Sequence, residues 1–303
     1  MMHDCAIVGG GPAGLNAALV LGRARRSVAL LDNNRARNSV THASHGFITR
    51  DGTQPAEFRR IAYEEVLRYP SVRHWPAEAA DIRRTNDGFV VRTSSGELVQ
   101  ARKLILAAGL KEVFPEIEGL RECYGKSLFN CPFCDGWELR DQPLAVVSDQ
   151  PGLFHKLKLL FNWSRDLVAC TNGSDILTAE QRQQLASRGI RIVDTPVAAF
   201  SGRNGMLQRV HFADGTHIER SGGFISPSFV PNAMFHETLG YQTSETGGIV
   251  TDAMGRTTSA GVYAAGDSAY VMPSQLIIAA ASGSKAAMAV LADLTEEDWQ
   301  PAT

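Results

Sequence analysis

The stretch that most restricts what this chain can fold into lies near its beginning. Cys5-Ala6-Ile7-Val8 is a short apolar run of the kind that forms a buried parallel strand. It leads directly into Gly9-Gly10-Gly11-Pro12-Ala13-Gly14, and Leu15 to Arg25 follows with Leu15, Ala18, Leu19 and Gly22 at helical spacing. A second strand, Ser27 to Leu31, ends in Asp32. Strand, G-x-G-x-x-G, helix, strand and acid in this order predict a dinucleotide-binding unit. Gly9 allows the tight turn, Gly11 lets the backbone approach a pyrophosphate, and Gly14 lets the helix pack closely on the strand. The helix N-terminus offers free N–H groups and a positive dipole end to phosphate. Asp32 stands where a carboxylate accepts bonds from ribose hydroxyls. The competing reading is a glycine-rich turn without a nucleotide, and the motif alone does not separate FAD from NAD.

The rest of the composition sets bounds. A chain of 303 residues corresponds to about two domains, and 44% apolar residues suffice for a sizeable core. A formal net charge of -2 shows no electrostatic footprint for nucleic acid. Met1 to Cys5 lead straight into a strand-like run, so no signal peptide is expected. The apolar run Leu276 to Ala281 is too short to span a bilayer. A soluble, cytoplasmic protein without a membrane partner is expected.

Five cysteines are present, Cys5, Cys123, Cys131, Cys134 and Cys170, and only one pair is close in sequence. That is not a secreted disulfide framework; it suits a redox or metal role in a reducing compartment. In Asn130-Cys131-Pro132-Phe133-Cys134-Asp135-Gly136-Trp137-Glu138 the two thiols can close a small disulfide. If a helix begins there, one thiol is acidified into a nucleophile, and Asp135 could shuttle the proton of thiol–disulfide exchange. A zinc site would need two more Cys or His ligands at metal spacing, and none accompany the pair. Two unconnected buried cysteines are the remaining plain alternative.

Two further stretches separate the cofactors. Lys103 to Gly109 is a strand ending in Ala107-Ala108-Gly109, and Gly261 to Asp267 is a strand ending in Gly266-Asp267. Together with the first motif they resemble the FAD signatures of the flavoproteins with two dinucleotide folds. The resemblance implies that Asp267 carries a carboxylate to the ribityl chain. It also implies that the helix opening at Gln275 and Leu276, rich in small residues, aims its N-terminus at the flavin ring. The Cys-x-x-Cys-Asp after the second signature resembles the low-molecular-weight thioredoxin reductase family over nearly the whole chain. Cys-Pro-Phe-Cys-Asp-Gly-Trp-Glu is also similar to a side branch that includes fungal and bacterial dithiol oxidases. Asp32 to Asn38 and His45 to Gly52 fit that branch, which makes Asn33, Arg37, Asn38, His45 and Gly46 expected neighbours of the flavin. A polar surface loop is their alternative.

The family pattern fails at one place. A member using NADPH carries a second strand, G-x-G-x-x-A/G and helix. The strand Pro143 to Val147 is present, but Ser148, Gln150 and Leu153 stand where small residues should. After the strand Asp166 to Cys170 the chain reads Thr171-Asn172-Gly173-Ser174-Asp175, without the arginines that grip a 2′-phosphate. NADPH is therefore not the expected reductant. Relatives lacking these motifs accept electrons from ferredoxin, pass dithiol electrons to oxygen, or hold a second FAD. For the last, Phe154, Phe161 and Trp163 could stack on a flavin and Lys156 or Lys158 could neutralise phosphate. The alternative is an amphipathic core helix with Leu153, Leu157, Leu160 and Phe161 inward.

The expected architecture is α/β with two Rossmann-like domains. An FAD domain of residues 1–112 plus 238–303 is split by an inserted redox domain, 113–237, with linkers near Val113-Phe114-Pro115 and Glu237 to Gly240. The resemblance further implies a rotating inserted domain, a homodimer, a thioredoxin-like protein or small disulfide as partner, Cys134 as the thiol nearer the flavin and Cys131 as the one that attacks the partner. Two other functions stay open: an oxidase of small dithiols and a flavin-bearing redox sensor.

Overall fold

The computed structural model describes residues 1–272 and 275–300. In chain order the elements begin with β1 (Met2–Val8), α1 (Pro12–Arg23), β2 (Val28–Leu31), α2 (Pro55–Leu67), β3 (Val72–Trp75), β4 (Ala79–Thr85), β5 (Gly88–Thr93), β6 (Leu98–Leu106) and β7 (Leu110–Val113). There follow α3 (Leu120–Cys123), β8 (Leu128–Phe129), α4 (Pro132–Asp135), β9 (Leu144–Val147), α5 (Leu153–Leu160), β10 (Leu167–Cys170), α6 (Ala179–Ser187) and β11 (Arg191–Val193). The remainder are β12 (Val197–Arg203), β13 (Met206–Phe212), β14 (His217–Glu219), β15 (Gly222–Ile225), β16 (Ser228–Pro231), α7 (His236–Leu239), β17 (Val262–Ala264) and α8 (Leu276–Trp299).

The chain divides into two units, one of residues 1–39, 46–111 and 229–303, the other of 40–45 and 112–228. In the first, β3-β2-β1-β6 run parallel, β17 adds to β6, and β5 and β4 continue as an antiparallel extension. β1 is apolar because both its faces are covered: Cys5 and Ile7 enter the core shared with α1 and α8, Ala6 and Val8 the core beneath the antiparallel strands. α1 opens on Pro12, whose missing N–H costs nothing at a first helical position.

α8 is long and apolar enough to cross a membrane, with a mean hydropathy of 1.4 over its most apolar window. The apolar run read as ending at Ala281 is only its first part. The helix serves as a core element: Ala279, Ala286, Ala287, Val290 and Leu294 pack into the cluster that α1 lines.

The second unit carries a fully parallel sheet, β11-β10-β9-β15-β8, and an antiparallel meander, β12-β13-β14. Its boundaries differ from the expected ones in two places. Glu237 to Gly240 is not a linker. Leu239 is buried with Tyr241 and Ile249 in the first unit, Gly240 closes α7 in a left-handed conformation, and the chain returns at 228–229 instead. Residues 40–45 group with the second unit, where the backbone of Val40 lies so close to Gly125 that a Cβ there would stand 2.4 Å from the Val40 carbonyl oxygen.

Candidate functional site

The first unit has a cleft along the C-terminal ends of β1, β2 and β6, the edge at which α/β sheets bind ligands. Gly9, Gly11, Pro12, Ala13, Asp32, Asn33, Arg37, Asn38, Ala108, Gly109, Gly266, Asp267 and Leu276 all line it. The glycines test whether a dinucleotide fits. Gly9 has a φ of 113°, and a Cβ on it would lie 2.2 Å from the Ala107 carbonyl oxygen, so the turn itself requires glycine. At Gly11 a Cβ would meet no atom of the protein within 4 Å. Nothing in the chain demands a glycine there; the bare backbone faces open cleft, as close approach of a pyrophosphate needs. Gly14 lies behind this surface, close against the Gly9 carbonyl, and serves packing.

Asp32 is buried, and its carboxylate is surrounded. Tyr63 donates to it at 2.6 Å, Arg59 at 2.7 Å and the Gly10 N–H at 3.2 Å. Burial opposes ionisation of Asp32, but the Tyr63 hydroxyl and Arg59 guanidinium outweigh it and hold the carboxyl below its ordinary range. Arg59 also donates to the Gly10 carbonyl oxygen at 2.7 Å, which braces the glycine loop. Sequence reasoning did not find Arg59 or Tyr63. Their four-residue spacing on α2 puts them on one helix face, but nothing local says that Asp32 lies opposite. Across the cleft Arg37 donates to Asp267 at 2.9 Å. Three arginines, Arg35, Arg37 and Arg59, line the cleft together with three acids, Asp32, Glu78 and Asp267, and Arg37 and Arg59 are paired with Asp267 and Asp32.

Three expected flavin neighbours are not among the lining residues. Gly46 and Gln275 lie side by side outside the cleft lining, a Cβ on Gly46 falling 2.9 Å from Gln275 Nε2. His45 groups with the second unit, its Nε2 standing 3.4 Å from Glu138 Oε1.

In the second unit Cys131 and Cys134 form a disulfide with a Cα–Cα separation of 5.3 Å. Cys131 is the N-cap of α4, and its carbonyl oxygen accepts the N–H groups of Cys134 and Asp135, each at 3.2 Å. Pro132 starts the single helical turn that brings the sulfurs together. Asp135 is buried; burial first, and the nearby Glu138 carboxylate second, push its carboxyl up to about 7. Its carboxyl therefore changes protonation near neutral pH, and it follows Cys134 directly in sequence. Cys5, Cys123 and Cys170 are buried free thiols, and desolvation pushes Cys170 up to about 12.

The same unit has the strand order of a second nucleotide fold, with its reversal between β9 and β15. Two side chains bridge that edge. Gln150 Nε2 donates to Ser228 Oγ at 3.1 Å, and Lys156 Nζ donates to Ser226 Oγ at 2.7 Å. Burial brings the Lys156 ammonium down to about 8. Beyond β10, Thr171 Oγ1 donates to Asp194 Oδ1 at 2.9 Å, and Arg182 grips both oxygens of Asp194 at 2.8 and 3.0 Å. On and after α5, Leu153, Leu157 and Leu160 are core residues. Phe154 lies under Lys158, Phe161 under Arg165, and Trp163 meets Phe133 edge-on.

The comparisons with known proteins agree with this arrangement. Residues 3–148 and 165–283 match the model of the pyridine nucleotide-disulphide oxidoreductase family. The probable thioredoxin reductase of Arthroderma benhamiae is 33% identical over 248 residues, 72% of this chain and 61% of that protein, so the chain matches less than two thirds of that relative's length. Thioredoxin reductase aclD of Aspergillus oryzae is 30% identical, with 98% of each chain covered. The crystal structure of a putative thioredoxin reductase TrxB from Bacillus anthracis superposes with a TM-score of 0.94 at 45% identity, covering 98% of this chain and 100% of that one. Cleft, cysteine pair and comparisons converge: the chain belongs to the pyridine nucleotide-disulphide oxidoreductase family, as a low-molecular-weight, thioredoxin reductase-like flavin disulfide oxidoreductase.

Proposed function

We propose that this protein binds one FAD in the cleft of its first unit and exchanges electrons with a partner disulfide through Cys131 and Cys134, with a reductant other than NADPH. The observation that carries the unusual part is the bridged edge of the second sheet. Gln150–Ser228 and Lys156–Ser226 bridge the sheet edge at which a dinucleotide is bound in folds of this topology, which supports the reading. Arg182, on the helix after β10, is engaged by both oxygens of Asp194. The covered rings of Phe154, Phe161 and Trp163 favour a single flavin per chain.

Gly9 to Gly14 would hold the FAD pyrophosphate, Asp32 its ribose, and Arg37, Asn38, Ala108, Gly109, Gly266, Asp267 and Leu276 the remainder, with Gln275 just before α8. Bound flavin supplies two-electron redox chemistry. When the cysteine pair is reduced, the Cys131 thiolate attacks one sulfur of the partner disulfide. That bond breaks, a mixed disulfide forms, and the other partner sulfur leaves with the proton of Asp135. Cys134 then gives its proton to Asp135 and attacks Cys131 Sγ. The Cys131–Cys134 disulfide is restored and the partner's second sulfur leaves as thiolate; two electrons have passed to the partner. A thioredoxin-like protein is the partner this chemistry suits, and the same relationship supports a cytoplasmic homodimer.

One observation favours a second reading. Phe133 is 60% and Trp137 64% exposed beside the disulfide, an apolar surface suited to a small dithiol that would be oxidised at the expense of oxygen. Anaerobic titration of the flavoprotein with NADPH, reduced ferredoxin and dithiols in turn tests both. Bleaching by ferredoxin or dithiols but not NADPH is expected, and rapid stoichiometric bleaching by NADPH overturns the proposal. Oxygen uptake sustained by dithiols selects the oxidase.

A further inference from the structure

Asn130 immediately precedes the first cysteine, and its side chain is bonded to two others that are bonded to each other. Its Nδ2 donates to Glu112 Oε1 at 2.7 Å and to the Tyr124 hydroxyl oxygen at 3.1 Å, while that hydroxyl donates to the same Glu112 oxygen at 2.9 Å. The donors and acceptors are mutually consistent: two amide hydrogens, one phenolic hydrogen and a carboxylate that takes two bonds. The three residues come from different places in the second unit. Glu112 lies on β7, Tyr124 caps the end of α3, and Asn130 joins β8 to α4. Tyr124 is itself held, its ring 4.4 Å from that of Phe114 and its backbone bridged to Leu128.

Cys131 is therefore fixed from both sides. Before it stands the Asn130 group; after it, its own carbonyl accepts the N–H groups of Cys134 and Asp135. We infer that Glu112, Tyr124 and Asn130 are positioning residues for the redox pair, keeping Cys131 in register with Cys134 when the disulfide is open. In the oxidised state the covalent ring Cys131-Pro132-Phe133-Cys134 holds the two sulfurs without help. In the dithiol state only non-covalent contacts limit how far Cys131 strays. Loosening them adds freedom chiefly to the dithiol, which lowers the effective concentration of one thiol for the other and disfavours reclosure.

The inference rests on the pair being redox-active, and the test separates the two ideas. The holoprotein is equilibrated in dithiothreitol buffers of graded oxidation, and the Cys131–Cys134 state is read by thiol alkylation. Asn130→Ala and Glu112→Ala should shift the equilibrium toward dithiol by about three- to tenfold, the size of one or two lost hydrogen bonds. Flavin content should be unchanged. Glu112→Gln, whose amide oxygen still accepts, should restore the wild-type equilibrium. Tyr124→Phe, nearly isosteric, provides the readout if the alanine variants fold poorly. Titration curves of Asn130→Ala and Tyr124→Phe that superpose on wild type overturn the inference. A wild-type disulfide that no dithiol buffer opens overturns instead the redox reading on which it rests.

Discussion

Two loops in this molecule occupy the same position in the same topology, and they have opposite contents. Gly9 to Gly14 joins β1 to α1; Ser148 to Leu153 joins β9 to α5. Each follows a buried parallel strand and opens a helix beside the point where strand order reverses. In the first, a Cβ on Gly11 would enter open cleft. In the second, Gln150 reaches over the sheet edge to Ser228, and Lys156 to Ser226. The same topology thus carries two different loops, one with bare backbone facing a cleft and one with side chains bonded across the sheet edge. Under the proposed function, that difference decides which edge takes a dinucleotide.

The comparison can be broken at several points, the largest effect coming from the feature the second unit retains. Cys131→Ser or Cys134→Ser should lower disulfide turnover by more than about a thousandfold, because one thiol attacks the partner and the other resolves the mixed disulfide. The flavin-to-protein ratio should not change, since neither cysteine lines the cleft. Full activity in either variant would end the dithiol mechanism. Asp135→Asn should cost about a hundredfold near neutral pH, the typical worth of a positioned acid. The sign of the pH effect follows from its raised carboxyl. Below about 7 Asp135 holds its proton and can donate it; as pH rises through about 7 that ability is lost. Wild-type transfer should therefore fall across this range from the Asp135 contribution, and the asparagine variant should lack that limb.

Gly11→Val probes the open backbone directly. Overpacking there should weaken FAD binding by about ten- to a hundredfold, read from flavin retained after gel filtration, while circular dichroism stays native. Retention of full flavin would show that the cleft does not bring a ligand against Gly11. The matching change in the other loop, Gln150→Gly, should move stability by only about 0.5 kcal/mol and leave NADPH unable to bleach the flavin, because Lys156 still bridges the edge. Lys156→Met should be neutral to mildly stabilising, since it removes a half-buried, partly desolvated cation whose side-chain hydrogen bond is to a neutral hydroxyl. The linkage has a definite direction. Lys156 is depressed to about 8, so wild-type stability from this group rises with pH from about 8 toward its unfolded value. Thermal melts at graded pH should show that slope in wild type and its loss in the methionine variant.

How much was legible beforehand depended on how local each feature is. The glycine loop, the acid after β2 and the cysteine pair are short, contiguous patterns, and thirteen of the expected flavin residues do line the cleft. His45 is not among the cleft-lining residues of the first unit, and its ring lies 3.4 Å from Glu138. The helix after β9 was ambiguous between flavin platform and core stripe, because an amphipathic pattern reports only that one face is apolar. Packing of Leu153, Leu157 and Leu160 resolved the face.

By itself the sequence determined the two Rossmann-like units, the dinucleotide loop and the redox pair. Strand periodicity, glycine spacing and a two-residue gap between thiols act through bonds and turns within a few residues. Tertiary structure alone decided which groups surround them. Arg59 and Tyr63 reach Asp32 across 27 and 31 residues, and Lys156 and Gln150 reach Ser226 and Ser228 across 70 and 78. Such pairs form only after sheets and helices have packed, because a side chain's partner across an edge is set by where the chain returns, and no local pattern records that.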